Sequence, residues 1–387
     1  LVRRRAKRSI VATRVWSRSI ISSVTETRGF HALTISAVRR DTRDAIVVTF
    51  EVPPDLRERF AFAHGQFLTL RTAADGEELR RSYSICSGAH DGELRVAIKR
   101  VGGGRFSSWA HERLVPGARI EVAPPDGRFG LPLAPGAAHH YLAFAAGSGI
   151  TPILSIVKTT LAGEPRSRFT LVYGNRASSS VMFREELQDL KDRYLGRLTL
   201  LFVMSREAQD VDLFSGRIDR EKCDALLERW IDLPTVDAAF VCGPEAMTLA
   251  VAASLEAHGL PAERIRSELF AAAPRGPGAF VPRVDGSDAG LCEAYAIFDG
   301  RRRTFTIEKG KETVLDAGLR AGIDLPYSCK GGVCSTCRVK LVEGEVDMDV
   351  HYALEDYEIA RGFVLMCQSY PVTDRIGLDI DDREFGS

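Results

Sequence analysis

The sequence predicts a multi-domain protein with three folded units in series. These are a small antiparallel β-barrel over residues 30–134, an α/β domain on a parallel sheet over 138–273, and an α+β domain over 293–383. Three observations predict this order. Between Phe30 and Leu133, short alternating apolar runs are broken by Gly and Pro. From His140 to Ala273 the pattern changes to strand, helix, strand, helix. Beyond an interdomain linker at 274–292, rich in Pro, Gly and Asp, come a hairpin-like pair, a helix and a cluster of cysteines.

The chain has 387 residues, which at roughly 100–200 residues per domain allows two to four domains. Hydrophobic residues make up 45% and charged residues 27%, as in ordinary globular proteins. A formal net charge of +0 supplies no field to attract a polyanion, so nucleic acid is excluded as a partner of the whole chain. No apolar run reaches the roughly 18 residues of a membrane-spanning helix, so no membrane association is expected. Residues 1–29 carry Arg3, Arg4, Arg5, Lys7, Arg8, Arg14, Arg18 and Arg28 against the single acid Glu26. That composition resembles an organelle transit peptide, without the apolar core of a secretory signal. The segment is read as a basic, disordered extension and the protein as cytoplasmic.

Each folded unit has its own signature. The runs HALTISAV, AIVVTFEV, QFLTLRT, ELRVAIK and ARIEVAP alternate as half-buried strands do, with turn residues between them, which is the pattern of a small barrel. In the second unit YLAFAA, FTLVYG, LTLLFVM and AAFVCG read as buried strands, with helical spacing in PILSIVKTTL, FREELQDLKDRY and MTLAVAASLEAHG. Such alternation places helices on the faces of a parallel sheet. In the third, YAIFDG and RTFTIE pair as a hairpin and TVLDAGLRAG reads as a helix.

Four of the eight cysteines fall in this third unit, spaced Cys329-x4-Cys334-x2-Cys337 and then Cys367. This is the plant-type [2Fe-2S] ligand spacing, in which one tight loop supplies three thiolates and a distant segment the fourth. Gly331 and Gly332 let the backbone pass close to a cluster and aim amides at sulfur, and Ser328, Ser335 and Thr336 leave room beside it. Structural zinc sites usually pair two C-x2-C knuckles, and only Cys334–Cys337 has that spacing. Cys86, Cys223, Cys242 and Cys292 are scattered, which is not the pattern of a disulfide scaffold.

Other motifs stand at strand ends. Arg81-Ser82-Tyr83-Ser84 closes a barrel strand, and an arginine fork suits a diphosphate. Lys99 precedes Gly104-Arg105-Phe106-Ser107, where Gly104 permits close backbone approach and Ser107 offers a hydroxyl to a phosphate. Gly147-Ser148-Gly149-Ile150-Thr151-Pro152 lies between a strand and a helix, where free amides can hold a pyrophosphate and Pro152 fits the first helical turn. It is not G-x-G-x-x-G, so the dehydrogenase fingerprint is absent. Cys242-Gly243-Pro244 ends another strand, and Glu268-Leu269-Phe270 ends the unit; taken alone, Cys242 would be a small core hydrophobe and Phe270 a buried aromatic.

Together these residues resemble the ferredoxin–NADP reductase family, in the form that carries a plant-type ferredoxin domain at the C-terminal end. The resemblance covers about residues 30–383. It implies an FAD-binding barrel, an NAD(P)-binding domain and a β-grasp [2Fe-2S] ferredoxin domain. Arg81, Lys99, Gly104 and Ser107 would then bind the flavin diphosphate, with Tyr83 packed on the flavin and Ser84 near its reactive nitrogen. Gly147, Gly149, Thr151, Pro152, Cys242, Gly243 and Pro244 would hold the nicotinamide nucleotide, and Phe270 would lie against the flavin after Glu268. Ser84, Thr151, Cys242, Glu268 and Phe270 would frame the reacting rings. Arg176, Ser205 and Arg206, which follow strand ends, would select NADPH over NADH through its 2′-phosphate. Cys329, Cys334, Cys337 and Cys367 would be the iron ligands. The implied chain of electrons runs from NADPH through FAD and the cluster to a di-iron oxygenase. The reductase of a ring-hydroxylating dioxygenase or a steroid hydroxylase fits the same residues. The resemblance gives Arg80 no role.

Overall fold

A computed structural model describes residues 29–74, 76–270 and 290–382. The expectations for residues 1–28 and for most of the 274–292 stretch lie outside the described residues.

The first unit is built from β1 (His31–Thr42), β2 (Ala45–Glu51), β3 (Phe67–Ala74), β4 (Glu77–Ser84), β5 (Leu94–Lys99), helix α1 (Arg105–Arg113) and β6 (Arg119–Val122). Its strands form one antiparallel sheet in the order β4-β3-β6-β1-β2-β5, and a bridge between Ile85 and Val96 brings the two ends together as a barrel. Leu33, Ile35, Val48, Leu68, Leu70 and Ile98 fill its interior. Strand β2 is buried on both faces rather than alternating. Val48 points into the barrel, while Val47 packs with Ala45, Cys86 and Ala97 against the second unit. Burying one such valine contributes about 1.5–3 kcal/mol, so this seam is a strong one.

The second unit contains β7 (His140–Ala146), α2 (Ile150–Gly163), β8 (Arg168–Asn175), α3 (Arg184–Arg193), β9 (Leu198–Met204), α4 (Arg220–Arg229), β10 (Ala238–Cys242), α5 (Glu245–Ala257) and β11 (Ile265–Glu268). The strands are parallel in the order β11-β10-β7-β8-β9. Residues of α2 and α3 pack on one face with the barrel, and those of α4 and α5 on the other. The strand order reverses between β7 and β10, so the crevice beyond their carboxyl ends is where an open α/β sheet binds ligands. An ion-pair network locks the seam to the barrel: Arg95 and Lys158 both reach Glu186, at 2.8 and 2.7 Å, and Lys158 also pairs with Asp91.

The third unit holds β12 (Leu291–Phe298), β13 (Arg301–Glu308), α6 (Val314–Arg320), β14 (Arg338–Glu343), β15 (Val346–Met348), α7 (Asp356–Ala360), β16 (Phe363–Leu365), β17 (Ser369–Pro371) and β18 (Arg375–Asp379). A mixed sheet in the order β13-β12-β18-β14-β16 packs around α6, the β-grasp arrangement, with β15 and β17 as a separate pair. This unit begins sooner than the expected boundary at 293. Strand β12 starts at Leu291 because Cys292 is fully buried in the core and belongs to the alternating pattern of the strand. Among the described residues no helix is long and apolar enough to cross a membrane.

Candidate functional site

A cleft of about 1190 Å³ opens where the barrel meets the carboxyl ends of β7 and β10. On the barrel side, the end of β4 contributes Arg81, Tyr83 and Ser84. Lys99 follows from the end of β5, and Gly104 and Ser107 from the first turn of α1. Arg81 is exposed to the cleft and braced by a 2.7 Å bond to the Arg80 carbonyl. Tyr83 packs on Phe106 at 5.6 Å. The Ser107 hydroxyl does not stand free: it donates to the Gly104 carbonyl at 3.3 Å and accepts from the Val101 amide at 3.1 Å. It therefore organises the turn before α1, a role its sequence position did not reveal.

On the nucleotide side, Gly147 has φ +54° and lies in a short turn feeding α2. A Cβ at Gly149 would sit 2.1 Å from the Cys242 carbonyl oxygen, so only glycine lets the ends of β7 and β10 close together there. Thr151 is buried and donates to the Ser148 carbonyl at 3.0 Å. Pro152 is buried in the first turn of α2 and does not line the cleft, whereas Gly243 and Pro244 do. Two backbone bonds of 2.8 Å, from Ser205 to Asn175 and from Arg206 to Arg176, tie the loops after β8 and β9 together. They gather Arg176, Ser205 and Arg206 on one lip of the cleft. Arg217 stands on the same wall, and sequence reasoning missed it; its signal was a glycine-arginine pair after β9.

Ser84, Cys242 and Glu268 meet at the junction of the two halves. Cys242 and Glu268 are register partners on β10 and β11, and Ser84 donates to the Glu268 carboxylate at 3.2 Å. Burial pushes the Glu268 carboxyl up to about 8, against the opposing bond from Ser84. Burial, then the charge of Glu268, raises the Cys242 thiol. Phe270 borders the cleft and is exposed rather than buried.

Glu268 has a measurable consequence. In the unfolded chain its carboxyl ionises near 4.5, but in the fold it keeps its proton up to about 8. Folding therefore takes up a proton between these values, and stability falls as pH rises through that window. Glu268→Gln removes the charge while keeping the shape. We expect its melting temperature to match the wild type near pH 4.5 and to exceed it by several degrees above pH 8. A pH series of thermal melts checks this, and equal melting temperatures at alkaline pH would contradict it.

The four clustered cysteines converge. The Cys329 thiol neighbours those of Cys334 and Cys367, and Cys367 also neighbours Cys337. The loop between them turns through left-handed backbone at Lys330, Gly332 and Ser335. Gly332 is required twice, for its φ of +73° and because a Cβ there would strike Val350 at 2.6 Å. The Gly331 amide donates to the Cys329 sulfur at 3.3 Å. Gln368 donates to the Cys367 sulfur at 3.5 Å and to the Lys330 carbonyl at 3.1 Å, tying the fourth cysteine to the loop. The neighbouring thiols, with the amides of Gly331 and Val333, hold the Cys329 thiol well below its usual range. The spacing of the four cysteines is the plant-type [2Fe-2S] ligand pattern, and the neighbouring thiols fit that set.

The cysteine loop is seated on the cleft's own strand. Ser328, next to Cys329, accepts a 2.8 Å hydrogen bond from Ser82, in the middle of the Arg81–Ser84 motif.

Comparison with known proteins assigns each unit. An oxidoreductase FAD-binding domain matches residues 32–130, an oxidoreductase NAD-binding domain 144–253, and a 2Fe-2S iron-sulfur cluster binding domain 297–372. The chain is 47% identical to a 1,2-phenylacetyl-CoA epoxidase component of Escherichia coli (strain K12), over 92% of this chain and 98% of that one. It is 34% identical to the ferredoxin reductase component of 3-ketosteroid-9-alpha-monooxygenase from Rhodococcus rhodochrous, over 90% and 96%. In fold it is similar to phthalate dioxygenase reductase, at a TM-score of 0.57 and 24% identity, over 91% of this chain and 98% of that one.

Proposed function

Because the chain belongs to the ferredoxin–NADP reductase family, in the branch that carries a 2Fe-2S domain after its nucleotide domain, we propose that it supplies electrons from NADPH to a phenylacetyl-CoA epoxidase. The chain is an oxidoreductase, an FAD- and NAD-binding electron-transfer component of an oxygenase system. Its partner on this reading is a di-iron oxygenase in the cytoplasm. Identity of 47% along nearly the whole of both chains supports that partner over the steroid hydroxylase, at 34%.

The observation that carries the reading is the Ser82–Ser328 contact, which seats a cysteine loop on a flavin-motif strand within one molecule. A bound flavin would supply the conversion between the paired electrons of a nicotinamide and the single electrons a cluster takes. The chain's own residues bind and orient. Arg81, Lys99 and the Gly104–Ser107 turn hold the flavin diphosphate, and Tyr83 packs against its ring. The Gly147–Thr151 turn and Gly243-Pro244 receive the nucleotide at the switch point, and Arg176, Ser205 and Arg206 take its 2′-phosphate. Thr151, Cys242 and Phe270 position the rings. Glu268 keeps a proton on its carboxyl through neutral pH, beside the Ser84 hydroxyl. Cys329, Cys334, Cys337 and Cys367 ligate the irons, with the Gly331 amide and Gln368 donating to sulfur.

The test pairs the purified protein with purified oxygenase components. We expect NADPH consumption coupled to loss of phenylacetyl-CoA with the epoxidase, and none coupled to steroid with the ketosteroid oxygenase. Coupled turnover with the steroid system alone would overturn the assignment of partner.

A further inference from the structure

We propose that Arg80 is a positioning residue that clasps the third domain to the barrel and keeps the cysteine loop seated on β4. The inference rests on the reading above, in which electrons pass between these two domains.

Strand β4 breaks its own alternation at this point. Leu79 and Arg80 are consecutive, yet both are buried, at 7% and 6% exposure. Leu79 faces the barrel core, while Arg80 lies beneath the third domain. A buried guanidinium is costly unless its donors are all engaged. Arg80 bonds Glu78 of its own strand at 2.7 Å and Asp324 of the third domain at 3.1 Å. Its guanidinium also lies 4.4 Å from the centre of the Tyr327 ring, and the Tyr327 hydroxyl returns to Glu78 at 3.2 Å. Arg80, Glu78 and Tyr327 thus form a closed ring, with Asp324 as a second anchor.

The clasp holds the segment immediately before the first cysteine. Tyr327 and Ser328 directly precede Cys329, so the contact from Ser82 to Ser328 depends on this segment staying down. A second latch stands elsewhere on the domain. Arg128 of the barrel grips buried Glu358 with two 2.8 Å bonds, and Arg338 reaches Glu358 too. Loss of Arg80 therefore lifts the loop without releasing the domain. One electron at a time must cross this contact, and transfer falls steeply with separation.

The test compares wild type, Arg80→Ala, Arg80→Lys and Asp324→Ala in the full chain. Asp324 is largely exposed, so its removal does not threaten the barrel should Arg80→Ala fail to fold. The first readout is hydrogen exchange at residues 324–329. The second is anaerobic stopped-flow reduction by NADPH, followed separately at the flavin and the cluster. Losing charged hydrogen bonds of this kind should raise exchange and slow cluster reduction about tenfold in Arg80→Ala, with flavin reduction within about twofold of wild type. Asp324→Ala should move the same way by less, and lysine should recover part of the loss through its remaining ion pair. Wild-type exchange and cluster reduction in both alanine variants would overturn the clasp. Equal slowing of flavin and cluster would also overturn it, by making Arg80 a support of the flavin site. A wild type whose flavin is reduced but whose cluster never is would instead sink the functional reading, with exchange still deciding the clasp.

Discussion

Cys334→Ser is expected to lower electron delivery to a one-electron acceptor such as cytochrome c by more than about 100-fold, because loss of a ligand must exceed the 10–100-fold cost typical of losing an outer-shell partner. Reduction of the flavin by NADPH should stay within about twofold of wild type, since the flavin and nucleotide sites rest on separate cores. Cys334 sits in the tight loop beside Cys329. A serine oxygen is a harder and less suitable ligand for iron–sulfur chemistry. Acceptor assays with cytochrome c and ferricyanide separate the two steps. Collapse of both activities would contradict the separation of domains.

Arg206→Ala is expected to raise KM for NADPH about 10- to 100-fold, the cost of a charged hydrogen bond to phosphate, while KM for NADH changes by less than about twofold. The backbone bonds from Ser205 and Arg206 to the loop after β8 hold this lip in place independently of the side chain. The substitution should therefore remove charge without collapsing the lip. Steady-state kinetics with both nucleotides checks this. Equal losses for NADPH and NADH would show that Arg206 does not read the 2′-phosphate.

Much of this architecture was legible in the sequence because its signals are local. Short apolar runs between turn residues mark β1, β2, β3, β5 and β6, and the helical period marks α2, α3 and α5. The cysteine spacing fixed the third unit's chemistry without any contact information. Within the second unit two elements escaped. Helix α4 carries only Cys223, Leu226 and Leu227 as buried residues, and β11 is four residues long, too short for a period to register. What joins the domains was not legible. Arg80 and Asp324 stand 244 residues apart, and a lone arginine on a strand looks like a solvated face until the domain above it is known. The hydrogen-bond partners of Ser107 were illegible for the same reason, because they depend on a turn that spacing alone cannot describe.

The central claim is that one chain carries a flavin and a [2Fe-2S] cluster in electronic contact. Anaerobic titration of the purified protein with NADPH, combined with assays of bound flavin, iron and acid-labile sulfide, tests it most directly. The account predicts about one flavin, two irons and two sulfides per chain, with the cluster absorbance bleaching after that of the flavin. Flavin without iron, or a cluster that stays oxidised beside a fully reduced flavin, would contradict it.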